Sequence, residues 1–435
     1  MKLLLFFYLF LLYTISNVSS LFLKQQNIVT NTNQTNLSVI GVFEIIRHGA
    51  RTPLAKGDTS NFYIGTMRSQ LTINGFRQHL LLGRWIRDRY IEGNQYRLFN
   101  KDFDRLDLST IEILSSHRQR SIFSSASHLL GMFPNAIIKL NLEGHIEIRN
   151  DDVPPIKNFE YDPRDGREVT INVLNGRRDN MFKAAYCRNG GNLTLIQTLR
   201  SHQKNIFNIT QDNRKKAIDE IFKSYADVIG IDGIDLEKGK YSDKTFKRII
   251  SFLRPFKYHY NDTLDLTKTS KQTVAMSVLN KFWGYRLEES KEKKLLSSNI
   301  FETLYNFFTL KSKNSTKINY YLLSGFDNTI ADVIGNILNP EYLRKLIHQA
   351  VEDDDLFTFL VPPVASSLLF ELLQDNNNHR NLYVRIIYNG KIISGEFLKP
   401  IKVYNKELIQ LNEFLDLIHS RIEKDYDDLH CNIDN

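Results

Sequence analysis

The chain has 435 residues, 42% hydrophobic and 24% charged, with 21 glycines, 10 prolines and two cysteines. Such usage excludes a collagen-like fibre, a disulfide-dense miniprotein and a wholly disordered chain, and the length suits one large domain or two smaller ones. The formal charge of +8, from 57 basic and 49 acidic residues in mixed order, suits an anionic small substrate or a basic patch and does not by itself point to nucleic acid.

The first twenty residues read as an address. Lys2 is followed by an apolar run, Leu3 to Leu12, and then by a more polar stretch ending Val18-Ser19-Ser20. This is the order of a secretory signal, and its apolar core is shorter than the roughly 20 residues that span a bilayer. Residues 1–20 are therefore expected to be removed, leaving a secreted, lysosomal or otherwise lumenal protein with no stable membrane insertion. Acceptor triplets for N-linked glycans begin at Asn33, Asn36, Asn192, Asn208, Asn261 and Asn314, which agrees with that route. Cys187 and Cys431 form an even pair that an oxidising compartment would join, the alternative being two buried thiols.

After a polar, Asn- and Thr-rich segment, Val39 to Ile46 reads VIGVFEII, a β-branched apolar run that predicts a buried strand. It ends in the polar loop Arg47-His48-Gly49. Leu71 to Tyr90 follows as an amphipathic helix with Thr72 as its cap. A second unit repeats the pattern: a strand over Thr110 to Ser115, a loop at Ser116-His117, and a helix over Arg118 to Met132. A third places a strand at Asn319 to Ser324, a turn at Gly325-Phe326-Asp327 and a helix over Asn328 to Leu338, with Asp327 as its N-cap. Near the end, Leu382 to Ile393 is a hairpin that turns at Asn389-Gly390.

Strands that end in polar loops before helices predict an α/β fold, a central mostly parallel sheet flanked by helices. Residues 38–150 and 311–435 are assigned to this discontinuous α/β domain. The lysine-rich stretch 151–310, with helices expected at Arg214 to Tyr225 and Lys271 to Arg286, is assigned to an inserted, smaller helical cap. In open α/β sheets ligands bind at the carboxyl ends of the strands, so the three loops are expected to build one site.

Their side chains suit phosphoryl transfer. Arg47 and Arg51 flank His48, and Arg118 and Arg120 lie in the second loop. Arginine recognises phosphate bidentately, and a neutral imidazole attacks phosphorus. Nearby guanidiniums disfavour imidazolium, which keeps His48 unprotonated in acid. His48 is expected to lie bare at the rim of the sheet, and Asp327 is placed to give a proton to a leaving alcohol. The blander assignments are a core histidine for His48, surface ion pairs for Arg51 and Arg120, and mere helix capping for Asp327; the two arginines flanking His48, with no adjacent acid except the inward Glu44, favour the chemical one for the histidine. The histidines show no ligand spacing, so neither a metal nor a cofactor is called for.

Arg47-His48-Gly49-x-Arg51-x-Pro53 matches the RHGxRxP signature of the histidine acid phosphatases, which this chain resembles from about residue 39 to 431. Further blocks match in order: Leu71-Thr72-x-x-Gly75-x-x-Gln78, Arg89-Tyr90, Ser115 to Ala126, Tyr186-Cys187-Arg188, Pro362-Pro363-x-Ala365-Ser366, Phe370-Glu371-Leu372, and Val384-Arg385 through Gly390. The resemblance implies that His48 is a nucleophile forming a phosphohistidine, that Arg47, Arg51 and Arg120 clamp the phosphate, and that Asp327 is the general acid. It also implies a Cys187–Cys431 disulfide and a small phosphate monoester as substrate, with no nucleic-acid partner; a homodimer is allowed. The family's third loop reads Gly-His-Asp, whereas this chain has Gly325-Phe326-Asp327. Phenylalanine offers no donor, and losing one donor where charge develops costs roughly 10²–10³ in rate. The expectation is a slowed acid phosphatase, the alternative a phosphate-binding pseudophosphatase.

Overall fold

The centre of the fold is an eleven-residue strand whose last seven residues are all buried, β1 (Leu37–Arg47). Its side chains alternate between two apolar layers: Phe43 and Ile45 join a core with Leu323, Ile330 and Phe370, while Val42 and Ile46 join one with Leu129, Leu322 and Leu369. A strand covered on both faces needs no polar side, which explains the near-continuous apolar run in its sequence. The computed structural model describes residues 36–52, 69–99, 107–142, 168–174, 181–182, 199, 205–229, 266–398 and 405–423, without the side chains of 222–229. The signal segment 1–20, Pro53, Cys187, Cys431 and the acceptors Asn33, Asn192 and Asn261 lie outside the described residues.

Eight further strands complete a nine-stranded sheet: β2 (Ile111–Ser115), β3 (Ile137–Leu142), β4 (Glu168–Val173), β5 (Tyr320–Gly325), β6 (Ser367–Asp375), β7 (Leu382–Tyr388), β8 (Lys391–Ile392) and β9 (Ile409–Gln410). The order is β3-β4-β2-β5-β1-β6-β7-β8, with β9 on β7. The first five are mutually parallel and β6 to β9 extend them in antiparallel pairings. The fold is mixed α/β with a mostly parallel sheet. Asn389 and Gly390, at φ 49° and 78°, make the β7–β8 turn, which needs positive φ at both central residues, a conformation that Asn and Gly tolerate. β4 falls inside the stretch assigned to the inserted cap, yet it pairs with β2 and β3 in the main sheet.

The helices among the described residues are α1 (Ile73–Arg87), α2 (Gln119–Met132), α3 (Gln211–Ile229), α4 (Lys268–Trp283), α5 (Lys291–Leu295), α6 (Ser298–Ser312), α7 (Asp327–Ile337), α8 (Pro340–Gln349), α9 (Asp354–Leu360) and α10 (Leu411–His419). Thr72 caps α1, accepting from the Gly75 amide at 3.1 Å, as its sequence predicts. The helix stops at Arg87 and passes into one π-helical turn over Asp88–Glu92, where a single long helix was expected. α1 and α2 pack almost backbone to backbone. A Cβ on Gly83 would lie 2.0 Å from the His128 carbonyl, and one on Gly131 would lie 2.3 Å from that of Leu80. No helix of the described residues is long and apolar enough to cross a membrane.

β5 lies between β1 and β2, in register Arg47↔Gly325 and Ser115↔Ser324. The ends of all three strands therefore fall on one edge. Amides stitch them there, His48 N–H to the Gly325 carbonyl at 3.2 Å and Ser116 N–H to that of Ser324 at 3.1 Å.

Candidate active site

Each loop residue reaches the cluster through a specific support. Gly49 presses on the start of α1 so closely that a Cβ there would meet the Gly75 carbonyl at 2.3 Å, a space only glycine fits. Its amide donates to Ser124 Oγ at 3.0 Å, and that of Ala50 donates to Gln78 Oε1 at 2.9 Å. From the other side, the left-handed turn at Ala365, φ 57°, sends its amide to the His48 carbonyl at 3.1 Å. Arg47 Nη1 donates to the Pro362 carbonyl. Sequence blocks around Gln78 and Pro362-Pro363 thus serve as scaffolding for the loop of His48.

His48 Nδ1 sits 2.8 Å from the Gly49 carbonyl. A carbonyl only accepts, so Nδ1 carries the proton and the lone pair lies on Nε2. Burial, and then the charges of Arg120, Arg47 and Arg51, hold this imidazole well below the ordinary histidine range. Such an imidazole resists protonation in acid, which keeps a nitrogen lone pair able to attack an electrophile. His48 is 3% exposed, which corrects the expectation that it lies bare. Phe326 stands edge-on beside it, centroids 6.2 Å apart at 73°. Arg51, Phe326 and Asp327 form the part-exposed margin of the cluster.

The expected clamp converges. Arg120, from the first turn of α2, donates from Nη1 to Ser69 Oγ at 2.6 Å. Burial and the like charges of Arg51 and Arg118 push its guanidinium down to about 9, against the pull of Asp327. Arg51 Nη1 donates to the Thr52 carbonyl at 2.9 Å. Arg47 Nη2 lies 3.6 Å from Asp327 Oδ2. Four guanidiniums gathered at one strand edge concentrate positive charge, the chemistry that suits an anion.

Asp327 is not an N-cap. Phe326 occupies that position and Asp327 is the first residue of α7. The reason is local: the Phe326 amide donates to Thr329 Oγ1 at 3.1 Å and opens the helix one residue early. Asp327 Oδ1 accepts from the Asn328 amide at 2.9 Å, and Oδ2 is turned toward Arg47. The bond to Asn328 thus leaves the second carboxylate oxygen within the cluster.

Beneath the site lies a buried polar layer that the sequence did not single out. His79 Nε2–H donates to the Arg47 carbonyl at 3.0 Å, and burial with the His128 charge pushes this imidazole down to about 3. His128 Nε2 is 3.1 Å from Glu44 Oε2, and Tyr320 and Ser367 donate to the same carboxylate. Burial alone would raise Glu44, but His128 and these hydrogen bonds outweigh it and lower it. Glu44 and His79 each fall within otherwise apolar patterns, and that interruption is the one signal that marks them. Among the described residues, no cluster of three or more His, Cys, Asp or Glu could hold a metal.

A family model described as the histidine phosphatase superfamily, branch 2, matches residues 38–389. No curated protein matches the chain. Among solved structures, a multiple inositol polyphosphate phosphatase of Bifidobacterium longum in complex with inositol hexasulfate superposes with a TM-score of 0.55 at 11% identity, covering 92% of this chain and 96% of that one. The phytase from D. castellii gives a TM-score of 0.55 at 12% identity, covering 93% and 83%. At such identities the likeness is one of fold.

Proposed function

Because the chain belongs to branch 2 of the histidine phosphatase superfamily, we propose that it is an acid phosphatase that hydrolyses phosphate monoesters through a phosphohistidine at His48. The observation that carries this reading is the placing of His48, its Nδ1 held on the Gly49 carbonyl, among the guanidiniums of Arg47, Arg51 and Arg120.

Those three arginines would bind the phosphoryl oxygens and take up charge as the transition state forms. His48 Nε2 attacks in line; an N–P bond forms and the ester P–O bond breaks. The departing electron pair goes to the leaving oxygen, which takes the proton of Asp327 Oδ2. In the second half, Asp327 accepts a proton from water, the water oxygen bonds to phosphorus, and the N–P bond breaks to return neutral His48 and orthophosphate. Acid suits the first half, which needs Asp327 protonated while His48 is not. Phytate is included in the proposed substrate range, since a phytase and a multiple inositol polyphosphate phosphatase share this fold. Secretion or lysosomal delivery, glycosylation at the acceptor asparagines and a Cys187–Cys431 bridge complete the proposal.

Phe326, with no hydrogen-bond donor at the phosphate site, favours a second reading, a phosphate-binding pseudophosphatase. Release of p-nitrophenol from its phosphate ester at pH 5 by the full secreted chain separates the two. Wild type is expected to exceed His48→Ala by on the order of 10⁴ or more, and brief acid quenching with labelled substrate should trap label on His48. Equal rates would remove the enzyme reading.

A further inference from the structure

Phe326 has its backbone amide committed to Thr329 Oγ1, so its ring alone faces the cluster. That ring is half-buried and has two charged or reactive neighbours. Arg120 Cζ lies 5.1 Å from its centroid, within the range of a cation–π contact. The His48 ring meets it edge-on at 6.2 Å, an aromatic pairing geometry. Arg120 has few other restraints. Nη1 donates to Ser69 Oγ, whereas Nε has no hydrogen-bond partner among the described residues. Of the charges around it, Arg51, Arg118 and Arg47 act to drive it away, and Asp327 draws it in. A long side chain that gives up its rotamer freedom needs an anchor to stay in such a place.

We infer that Phe326 is a positioning residue for the phosphate clamp: its ring face holds the Arg120 guanidinium over the anion site, and its edge fixes the plane of the His48 imidazole. In this chain the third loop contributes to the clamp by placing a neighbour's cation, not by donating a hydrogen bond. The inference rests on the phosphate-binding reading of the cluster, and it assigns Phe326 a role that an apolar filler of equal bulk could not play.

The test is calorimetric titration of the full chain with orthophosphate at pH 5, with thermal melting recorded for each variant. Phe326→Leu keeps apolar bulk and loses the ring face; it is expected to weaken phosphate binding roughly three- to tenfold, the size of a part-desolvated cation–π contact. Phe326→Tyr is expected to recover most of that loss. In an Arg120→Ala background, Phe326→Leu should change affinity less than about twofold, because its main effect runs through Arg120. Phe326→Met provides the same comparison should the leucine variant melt early. Phosphate affinity unchanged in both the leucine and methionine variants would overturn this inference alone, as would a full loss persisting without Arg120. Failure of the wild type to bind orthophosphate would overturn it together with the proposed function.

Discussion

Two arginine clusters in this molecule teach opposite lessons. One surrounds Glu371, in the middle of the sheet. Arg385 Nε donates to Glu371 Oε2 at 2.6 Å, and Arg89 Nε donates to Oε1 at 2.7 Å, which Tyr90 also reaches at 2.6 Å. Both guanidiniums stack on Tyr96, Arg89 at 4.2 Å and Arg385 at 4.4 Å. Burial alone would lower the arginines, but Glu371 outweighs it and raises both, and its own carboxyl is held down at about 2. The other cluster surrounds His48, where burial and like charge lower Arg120. The same residue type gains basicity where its charge is answered and loses it where charge has been gathered. The first arrangement is a closed, satisfied network, and the second is a concentration of positive charge of the kind the proposed phosphate site needs.

The largest expected effects come from deleting one arginine of each kind. Arg385→Met leaves a buried network incomplete and should cost about 3 kcal/mol or more of stability, seen as a lower urea midpoint, with kcat/KM per folded molecule unchanged. Arg120→Met relieves repulsion, so its midpoint should hold or rise. Its kcat/KM on p-nitrophenyl phosphate should fall about 10²–10³-fold, the size of losing one donor to developing charge. If both variants lose stability alike, the contrast between the clusters is not real.

Phe326→His sharpens the contrast by adding a donor to the anion site while keeping an aromatic ring beside Arg120. The rate should rise by on the order of 10², recovering the loss expected for a missing donor. An unchanged kcat with folded protein would mean that position 326 does not face the reacting phosphate.

The three strand–loop–helix units were legible because their information is local. Val39 to Ile46, Thr110 to Ser115 and Asn319 to Ser324 carry apolar runs, and the loops after them carry the chemistry. The register of β1, β5 and β2 then places His48, Asp327 and Arg120 at one edge. Partners far apart in the chain were not legible. Arg47 is tied to Pro362, and Arg89 and Arg385 meet on Glu371, yet no periodicity links such positions. Arg89, Glu371 and Arg385 appeared only as fragments of a family resemblance, and nothing local told them apart from Arg47 or Arg120. The Asp327 N-cap failed for a similar reason. Thr329 offered its hydroxyl to the Phe326 amide, and this competition one residue upstream is invisible to a residue-by-residue capping preference.

The smallest effect separates the two regions by pH. His79, under the anion site, has its folded value lowered to about 3 from 6.5. On acidification the unfolded chain therefore takes up this proton before the native state does. Its contribution to stability is complete above pH 6.5 and drains away as pH falls toward about 3. His48 is lowered as well and adds to the same limb. Glu371 is lowered to about 2 from 4.5, so its contribution is complete above 4.5 and is lost only as pH falls through about 2. The melting temperature should accordingly begin to decline below pH 6.5 and fall faster below 4.5. At pH 5 the His79 share is about 2 kcal/mol, a few degrees in Tm for a chain of this size. His79→Gln keeps a donor for the Arg47 carbonyl and does not titrate, so it should flatten the decline between pH 6.5 and 4.5 and leave the steeper loss intact. A glutamine variant whose Tm–pH curve runs parallel to the wild type over that interval would show that the layer beneath His48 takes up no proton on unfolding. The stability cost of working in acid would then have to be sought around Glu371.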